Sequence, residues 1–562
     1  MNKQESNPVP TQWWKEAVAY QIYPRSFMDS NGDGIGDLNG ITARLDYLKA
    51  LGIDVIWICP MYKSPNDDNG YDVADYQAIM EEFGTMADFD RLLDAVHSRG
   101  MRLILDLVVN HTSDEHAWFI ESRASKDNPK RDWYVWRDGK DGREPNNWES
   151  IFRGSAWQRD ERTGQYFLHL FSTRQPDLNW ENPEVRAAIN DMVRWWLDKG
   201  IDGFRLDAVS HMKKVPGLPD MPNPDGLDHV PSWEGHLNVP GVLDYMDDLC
   251  RGSFRRYDIM TVGEANGVTA EQARDWVGAG HGRLNMIFQF EHLNLWAKDP
   301  QAPLDLVALK RIFTRWQETL EGVGWNALFL ENHDIPRIVS KWGDPVRYWR
   351  ESATALATMY FLMQGTPFIY QGQELGMTNL RFDGIHDFDC IFARNHFELE
   401  RAKGVPVEEI IAAIAVTARD NSRTPMQWDA SPNAGFSTGT PWLRVNPNYA
   451  DINVAQQEAD PDSILNYYRR MIALRKAEPV LVRGRYALLM EDDPRIYAYT
   501  RTLGDGKIAV ITNLSGDEAE FAHPGFALTD AGLLLANHPV APHDQTDRLH
   551  LRPYEARVYR VA

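Results

Sequence analysis

The feature that most constrains this chain is a series of eight short, almost continuously apolar segments, most of them followed by a helical stretch. Such runs predict strands buried on both faces, which is typical of a parallel sheet covered by helices. The helical stretches at 88–100 and 182–200 both end at glycine, a common helix stop. Eight strands alternating with helices predict an α/β fold, a (β/α)8 TIM barrel. The eight segments are 18–24, 54–60, 102–108, 203–209, 259–265, 286–290, 327–334 and 366–374.

The spacing of these segments changes in two places. The third and fourth are much further apart than the others, so residues 111–180 are predicted to form an inserted domain after strand 3. From about residue 482 the pattern becomes one of alternating strands and turns, which predicts a C-terminal antiparallel β-sandwich at 482–562. The barrel domain is then expected at 12–110 and 181–481, including an excursion after strand 8.

Composition excludes several classes of partner. The 59 basic and 81 acidic residues give a formal charge of −22, which disfavours nucleic acids and anionic membranes as partners. The N-terminus has no apolar leader, and no 18 apolar residues run together. Three distant cysteines form no disulfide framework. We therefore expect a cytoplasmic protein, a monomer or homodimer, that acts on small molecules.

Acidic residues stand where three of the predicted strands end. Asp207, Glu264 and Asp334 would point into one barrel mouth, because active sites of such barrels lie at the carboxyl ends of the strands. Clustered carboxylates without a zinc-type ligand set are what acetal hydrolysis needs, since one carboxylic acid must protonate the leaving oxygen and one carboxylate must attack or stabilise the anomeric carbon.

The neighbours of these acids predict different roles. Arg205 lies two residues before Asp207 on the same face of the strand, so its charge favours an ionised Asp207, which suits a nucleophile. Glu264 has no cationic neighbour in sequence and is the better proton donor. His111 and His333 flank the predicted mouth and could donate hydrogen bonds to sugar hydroxyls.

Four stretches in this order resemble the signature regions of the α-amylase superfamily, glycoside hydrolase family 13. They are DLVVNH (106–111), GFRLDAV (203–209), VGEA (262–265) and FLENHD (329–334). SPNDDNGYDVADY, IYQGQELGMTN and RDNSRTPMQW further resemble the α-glucosidase and oligo-1,6-glucosidase branch of that family.

The resemblance implies a retaining mechanism and a set of roles. Asp207 would be the nucleophile, Glu264 the general acid/base and Asp334 the stabiliser of the transition state. The residues implied to contact the bound glucose are His111, Arg205 and His333. The residues implied to close or line a dead-end pocket are Asp68 and Tyr71, Arg423 paired with Asp68, Arg419 nearby, and Phe171.

The preferred linkage depends on residues near the nucleophile. Ala208 follows it, and in this branch alanine or threonine there resembles enzymes that cut α-1,4 or several linkages, whereas valine resembles those that prefer α-1,6. Asn266, in GEANGV, offers a polar group to the leaving sugar. We therefore expect an exo-acting α-glucosidase that favours α-1,4 bonds in short α-glucosides and also transfers glucose. The alternatives are an oligo-1,6-glucosidase, a sucrose isomerase and a non-catalytic accessory protein on this fold.

The stretch DSNGDGIGDLNG (29–40) is similar to an EF-hand calcium loop. Asp29, Asn31, Asp33, the backbone carbonyl of Ile35 and Asp37 supply oxygens, but position 12 is glycine and the loop is single. A sensor is thus excluded, and the loop predicts one structural Ca²⁺ ion, with a dry Asx/Gly turn as the alternative. The reaction itself is expected to need no cofactor.

Overall fold

Eight parallel strands form the centre of the protein in a computed structural model that describes residues 12–296, 299, 301–525, 527–542 and 546–561. Residues 1–11, which carry most of the prediction about an N-terminal leader, lie outside the described residues. In chain order the strands are β1 Ala19–Ile22, β2 Val55–Ile58, β3 Arg102–Val108, β4 Gly203–Asp207, β5 Met260–Glu264, β6 Met286–Phe288, β7 Ala327–Leu328 and β8 Thr366–Tyr370.

The sheet runs in the order β6, β5, β4, β3, β2, β1, β8, β7. One parallel bridge, between Ile287 and Asn326, joins β6 to β7 and closes the ring in the described part of the chain. The predicted (β/α)8 barrel is therefore confirmed. The main departure is β7, which ends at Leu328, so the polar residues 331–334 lie on the loop beyond it.

Helices alternate with the strands, and their ends follow the sequence signals. Asn182 caps Pro183–Lys199 by accepting from the Glu184 amide, and Gly200 ends that helix at a φ of 107°. No helix among the described residues is long and apolar enough to cross a membrane. The α-helices are Leu38–Ala43, Leu45–Leu51, Met86–Ser98, Ala117–Ser122, Pro183–Lys199, Trp233–His236, Val242–Gly252, Ala270–Val277, Leu306–Leu320, Ile338–Lys341, Trp349–Phe361, Ile391–Ala402, Val407–Thr417, Asp420–Arg423, Val454–Ala459, Ile464–Ala477 and Pro479–Arg483.

The interior of the barrel is apolar up to the carboxyl ends of the strands. One buried cluster takes side chains from every barrel strand except β4, including Ile104 and Val262. Side chains two residues apart share a face of a strand, so Asp106 and Glu264 continue the inward rows of Ile104 and Val262. Arg205 occupies the corresponding inward row of β4. The polar site is therefore the layer directly above the apolar filling.

Two further units flank the barrel. Between β3 and β4 the strands Trp136–Arg137, Trp157–Arg159 and Tyr166–Leu168 form a small antiparallel sheet, and Trp148–Glu149 pairs with Val230–Pro231. Tyr62–Lys63 pairs with Asp75–Ile79 after β2. The C-terminal strands are Arg485–Leu489, Ile496–Leu503, Gly506–Asn513, Ala519–Ala522, Leu533–Ala536, Arg548–Leu551 and Ala556–Val561.

The C-terminal strands form two antiparallel sheets, one of five strands and one of two. Ile511 and Tyr559 of the larger sheet share one buried cluster with Phe521 and Leu549 of the smaller. The two sheets therefore pack face to face, as predicted for a β-sandwich. The exact boundaries 12–110, 111–180, 181–481 and 482–562 stay predictions.

Candidate active site

A single guanidinium group joins three carboxylates at the mouth of the barrel. Arg205 Nη1 donates to Asp106 Oδ1 at 2.8 Å and to Asp207 Oδ1 at 2.7 Å, and its Nη2 donates to Glu264 Oε2 at 2.7 Å. Arg205 and Asp106 are buried, whereas the side chain of Glu264 is 22% exposed. Glu264 has no cationic neighbour in sequence, but in the fold the neighbouring strand supplies Arg205, which sequence proximity does not reveal.

Strand register explains this cluster. Arg205 lies directly opposite Asp106 on β3 and opposite Val262 on β5, two residues before Glu264. Asp106 was missed as a site residue, although a carboxylate inside the apolar run RLILDLV was a signal that it needs a buried partner. Trp57 Nε1 and the Tyr71 hydroxyl also donate to its Oδ2, at 3.1 and 3.0 Å.

The backbone immediately after β4 has an unusual conformation. Ala208 has a φ of 45°, in the left-handed region that non-glycine residues rarely adopt. Its amide donates to Glu264 Oε2 at 3.1 Å, so the turn that ends β4 also holds the carboxylate at the end of β5. This contact fixes Asp207 and Glu264 relative to each other.

The charge of the cluster favours retention of a proton. Burial raises the pKa of Asp106 to about 6. Burial, together with the charges of Glu264 and Asp106, raises the pKa of Asp207 well above its usual range, although Arg205 acts in the opposite direction. The guanidinium therefore does not fully compensate the two buried carboxyl groups, and Asp106 and Asp207 hold a proton more tightly than isolated carboxyl groups do.

Asp334 behaves differently from the cluster. Burial alone would raise its pKa, but the N–H that His333 directs at it and the guanidinium groups of Arg419 and Arg423 hold that pKa well below its usual range, so the group is ionised. Arg423 Nη2 donates to Asp334 Oδ1 at 2.9 Å, and Arg419 Nη1 lies 3.4 Å from the same oxygen. The structure thus supplies one fully charged carboxylate beside a cluster that holds protons.

The expected pairing of Arg423 with Asp68 is wrong. Arg419 Nη2 makes that ion pair, at 2.8 Å from Asp68 Oδ1, while Arg423 binds Asp334 and donates to the His333 carbonyl at 2.9 Å. The two arginines are four residues apart on the short helix Asp420–Arg423 and its cap, so both face the mouth.

His333 is a neutral, oriented imidazole. Burial lowers its pKa to about 3. Gln21 Nε2, a side chain missed in sequence, lies 2.8 Å from His333 Nδ1, and because an amide nitrogen donates, Nδ1 accepts and Nε2 carries the hydrogen. The ring of Tyr71 stacks on His333 with centroids 5.2 Å apart. Nε2 lies 3.1 Å from Asp334 Oδ2, so its hydrogen faces the carboxylate at the mouth of the barrel.

His111 lies at the same mouth, where its two nitrogens already have partners. Nε2 lies 3.1 Å from the Tyr71 carbonyl and Nδ1 lies 3.2 Å from the Asn110 amide nitrogen. Burial lowers its pKa, so it too is neutral. Phe171 packs against it with ring centroids 5.0 Å apart. His111 would therefore have to exchange a partner to donate to a sugar.

A cavity of about 220 Å³ connects most of these groups. Of the predicted site residues, Asp68, Tyr71, His111, Phe171, Asp207, Glu264, Asn266, Asp334 and Arg419 line it, while Arg205, His333 and Arg423 support it from behind. Ala208, from which the linkage preference was predicted, also lines it, as do Ile151, Phe152, His211 and Trp233, which were not among the predicted site residues. Trp233 is 43% exposed and marks the open side.

The aspartate-rich loop at 29–37 is closed by its own hydrogen bonds. Asp29 accepts from the amides of Asn31, Gly32 and Gly34 and from Ser437 Oγ. Asp37 accepts from Ser30 and from the Gly40 amide, and so caps the helix Leu38–Ala43. No group of three or more His, Cys, Asp or Glu among the described residues is arranged to hold a metal ion. The carboxylates of Asp29 and Asp37 therefore act as acceptors for the turn and for the helix that follows it.

Comparison with known proteins extends over nearly the whole chain. The α-amylase catalytic domain family matches residues 21–484, and the maltogenic amylase C-terminal domain family matches residues 486–558. A probable oligo-1,6-glucosidase 3 of Bacillus subtilis (strain 168) is 56% identical over 547 residues, covering 97% of this chain and 99% of the relative. An oligo-1,6-glucosidase of Halalkalibacterium halodurans is 55% identical over 556 residues, covering 98% and 99%.

Structural comparison agrees with the sequence. The solved trehalulose synthase of Pseudomonas mesoacidophila MX-45 has a TM-score of 0.93 and 44% identity, covering 99% of this chain and 100% of that one. The four signature regions meet at one mouth of this barrel, as such a resemblance requires. The chain therefore belongs to the α-amylase superfamily, glycoside hydrolase family 13, and is a glycoside hydrolase.

Proposed function

We propose that the protein is a retaining, exo-acting α-glucosidase that removes single glucose units from short α-glucosides, with α-1,6 bonds preferred. The observation that carries the proposal is the pairing of Asp207 and Glu264 through Arg205 beside a cavity whose far side is crossed by the Asp68–Arg419–Asp334 ion pairs. Such a cavity admits one chain end and stops it.

In the proposed first step, Asp207 attacks the anomeric carbon and forms a covalent glucosyl ester. Glu264 donates its proton to the glycosidic oxygen, so the bond to the leaving sugar breaks and that sugar departs as an alcohol. In the second step, the ionised Glu264 takes a proton from water, which attacks the same carbon and releases Asp207. Two inversions give α-glucose, that is, retention.

The exposure of the three carboxyl groups supports this division of labour. All three bind one guanidinium, and Glu264 is the one most open to a substrate, so it is best placed to donate a proton to the leaving oxygen. The Arg205 hydrogen bond stabilises the charged form of Asp207 when the proton is on Glu264. Asp334 is ionised and lies on the same cavity, where it would stabilise the positive charge of the transition state.

The linkage preference is proposed from the relatives. Two relatives that cover nearly the whole chain are named oligo-1,6-glucosidases, which favours the α-1,6 alternative over the α-1,4 preference expected from Ala208. An α-1,4 preference remains the second candidate because Ala208 lines the cavity beside the nucleophile and leaves more room than valine would.

The linkage test is the ratio of kcat/KM on isomaltose to that on maltose. We expect kcat/KM on isomaltose to be at least tenfold higher than on maltose. A ratio below one would mean that the protein prefers α-1,4 bonds. Sucrose is assayed in parallel, because a trehalulose synthase has a closely similar fold. Accumulation of isomerised disaccharide with little free glucose would show that the protein is an isomerase and not a hydrolase.

The catalytic roles are tested with azide and an activated α-glucoside. Asp207→Gly should lower kcat more than about 1,000-fold, and azide should restore turnover with β-glucosyl azide as product, because only one inversion remains. Glu264→Ala should instead give α-glucosyl azide, since the glucosyl ester still forms on Asp207. If the Asp207 variant gave the α-azide and the Glu264 variant the β-azide, Glu264 would be the nucleophile and Asp207 the acid/base.

The remaining expectations stay proposals. One of them is a structural Ca²⁺ ion on the loop 29–37, which metal analysis and melting curves with and without a chelator test. A cytoplasmic location, a monomeric or homodimeric state and action on small α-glucosides without nucleic acid or membrane partners are likewise proposed.

A further inference from the structure

Two buried histidines meet beside the cavity, and the proposed mechanism uses neither. His211 lines the cavity, whereas His236 lies behind it in the short helix Trp233–His236. Their Nδ1 atoms are 2.9 Å apart, and their rings are 5.0 Å apart between centroids. Both side chains are almost fully buried. A distance of 2.9 Å means that one Nδ1 donates and the other accepts.

The neighbours of His236 determine which one donates. The Ser232 hydroxyl donates to the Glu149 carbonyl at 3.1 Å, because that oxygen can only accept. The single hydroxyl hydrogen is then used, so Ser232 Oγ must accept from His236 Nε2, which is 3.2 Å away. A neutral His236 that carries its hydrogen on Nε2 has a bare Nδ1.

It follows that His211 Nδ1 donates to His236 Nδ1. A neutral His211 with its hydrogen on Nδ1 has a bare Nε2, which is the ring nitrogen left for the cavity. Burial lowers the pKa of His211 to about 3 and that of His236 well below its usual range, so both rings are neutral under assay conditions. His333, across the site, has the opposite polarity and presents an N–H.

We propose that His236 is a positioning residue that fixes His211 as a neutral hydrogen-bond acceptor for a hydroxyl group of the leaving sugar. His211 lies on the open side of the cavity, with its ring centroid 6.5 Å from that of the exposed Trp233. The closed end, at Asp68 and Arg419, is left for the glucose that is removed. The chain of hydrogen bonds from His211 through His236 and Ser232 ends on the backbone carbonyl of Glu149, in the inserted segment. This segment therefore determines which nitrogen of His211 accepts a hydrogen bond at the leaving-sugar site.

The inference rests on the proposed α-glucosidase function. Assays on two substrates distinguish a failure of the inference from a failure of the proposed function. Isomaltose has a leaving sugar with hydroxyl groups, whereas 4-nitrophenyl α-glucoside has a leaving group without a hydroxyl donor. His236→Leu removes the acceptor of His211 Nδ1, so His211 is free to change tautomer. His236→Gln keeps an acceptor oxygen in nearly the same place and is the matched control.

We expect His236→Leu to lower kcat/KM for isomaltose about tenfold, the size of one lost hydrogen bond, and that for the aryl glucoside less than about twofold. His236→Gln should recover most of the isomaltose activity. Equal losses on both substrates, or a glutamine variant as poor as the leucine variant, would overturn the proposal. A wild-type protein inactive on the aryl glucoside would instead overturn the proposed function.

Nitrogen NMR of the wild-type protein with labelled histidines shows which ring nitrogen carries the hydrogen. If His236 only supported the fold, its substitution would not change the tautomer of His211. His211, assigned by its absence in His211→Ala, should show the hydrogen on Nδ1, and His236 should show it on Nε2. In His236→Leu the His211 signals should shift toward the other tautomer. A hydrogen on His211 Nε2 in the wild type would exclude the acceptor role.

Discussion

The two ends of the barrel bury positive charge in opposite ways. At the mouth, Arg205 faces three carboxylates. At the opposite end, Arg475 Nη1 donates to the carbonyls of Phe361 and Met363 at 2.8 and 2.9 Å, and its Nη2 to that of Gly365. Arg501 of the C-terminal sheet donates to the carbonyls of Leu362 and Gly484.

The consequences for charge are opposite as well. Burial lowers the pKa of Arg475 to about 9 and that of Arg501 to about 10, because carbonyls stabilise a cation without neutralising it. Burial would also lower the pKa of Arg205, but the carboxylates raise it well above its usual value. The end that only holds segments together uses neutral acceptors, whereas the end that performs chemistry carries an excess of negative charge.

The largest effect is expected from Arg205→Lys. Lysine keeps the positive charge but cannot direct two nitrogens at carboxylates on different strands, so kcat/KM should fall about 1,000-fold. The measurement is turnover of an aryl α-glucoside, with far-UV circular dichroism to confirm folding. A loss below tenfold would mean that charge, not geometry, is what Arg205 supplies.

Arg475→Met should act on stability instead. It leaves three buried carbonyls without a donor, which should lower the free energy of unfolding by roughly 3 kcal/mol. Urea denaturation measures this change, and kcat of the folded enzyme at 25 °C should stay within twofold of the wild type. The matched control is Arg470→Met on the exposed side of the same helix. A fall in kcat with an unchanged free energy of unfolding would show that Arg475 acts on catalysis and not on stability, against the contrast drawn between the two ends.

Asp106→Asn tests whether the carboxyl groups at the mouth change one another's pKa through their charges. The charge of Asp106 raises the pKa of Asp207, so its removal should lower the pKa of this proposed nucleophile. The acid limb of the pH dependence of kcat/KM should move down by roughly one pH unit. An unchanged acid limb, or one that moves to higher pH, would show that Asp106 does not act on Asp207 through its charge.

The smallest effect is expected at the surface of the C-terminal domain. Arg548 and Glu520 form an exposed pair at 3.2 Å, with side chains 67% and 44% exposed. Arg548→Ala should change the free energy of unfolding by less than about 0.5 kcal/mol, and the effect should shrink in salt. A change above 1 kcal/mol in the same urea experiment would mean that exposed pairs matter as much as the buried cations.

Much of the fold could be predicted from the sequence because burial on both faces leaves long apolar runs. All eight barrel strands lie inside the predicted segments, and the helix Pro183–Lys199 lies inside the predicted stretch 182–200 and ends at its predicted glycine. The end of β7 could not be predicted, because Phe329 and Leu330 continue the apolar run after the strand hydrogen bonds stop.

The site was less predictable where it depends on contacts between strands or within one helical turn. The register that places Asp106 opposite Arg205 is a long-range property, so the partner of a buried carboxylate cannot be found from its neighbours. Arg419 and Arg423 share a helix face, and sequence alone does not say which of them reaches Asp68. His211 and His236 are 25 residues apart, and only folding shows that their rings touch.

The single bridge between Ile287 and Asn326 gives the barrel a joint that is weaker than its others. Glu264 is on β5, on one side of this joint, and Asp334 follows β7, on the other side. Thermal opening of the barrel should therefore begin at the joint that lies between Glu264 and Asp334, the proposed acid/base and stabiliser. We expect backbone amides of β6 and β7 to exchange with deuterium before those of β3 and β4, and activity to fade on heating before the barrel melts.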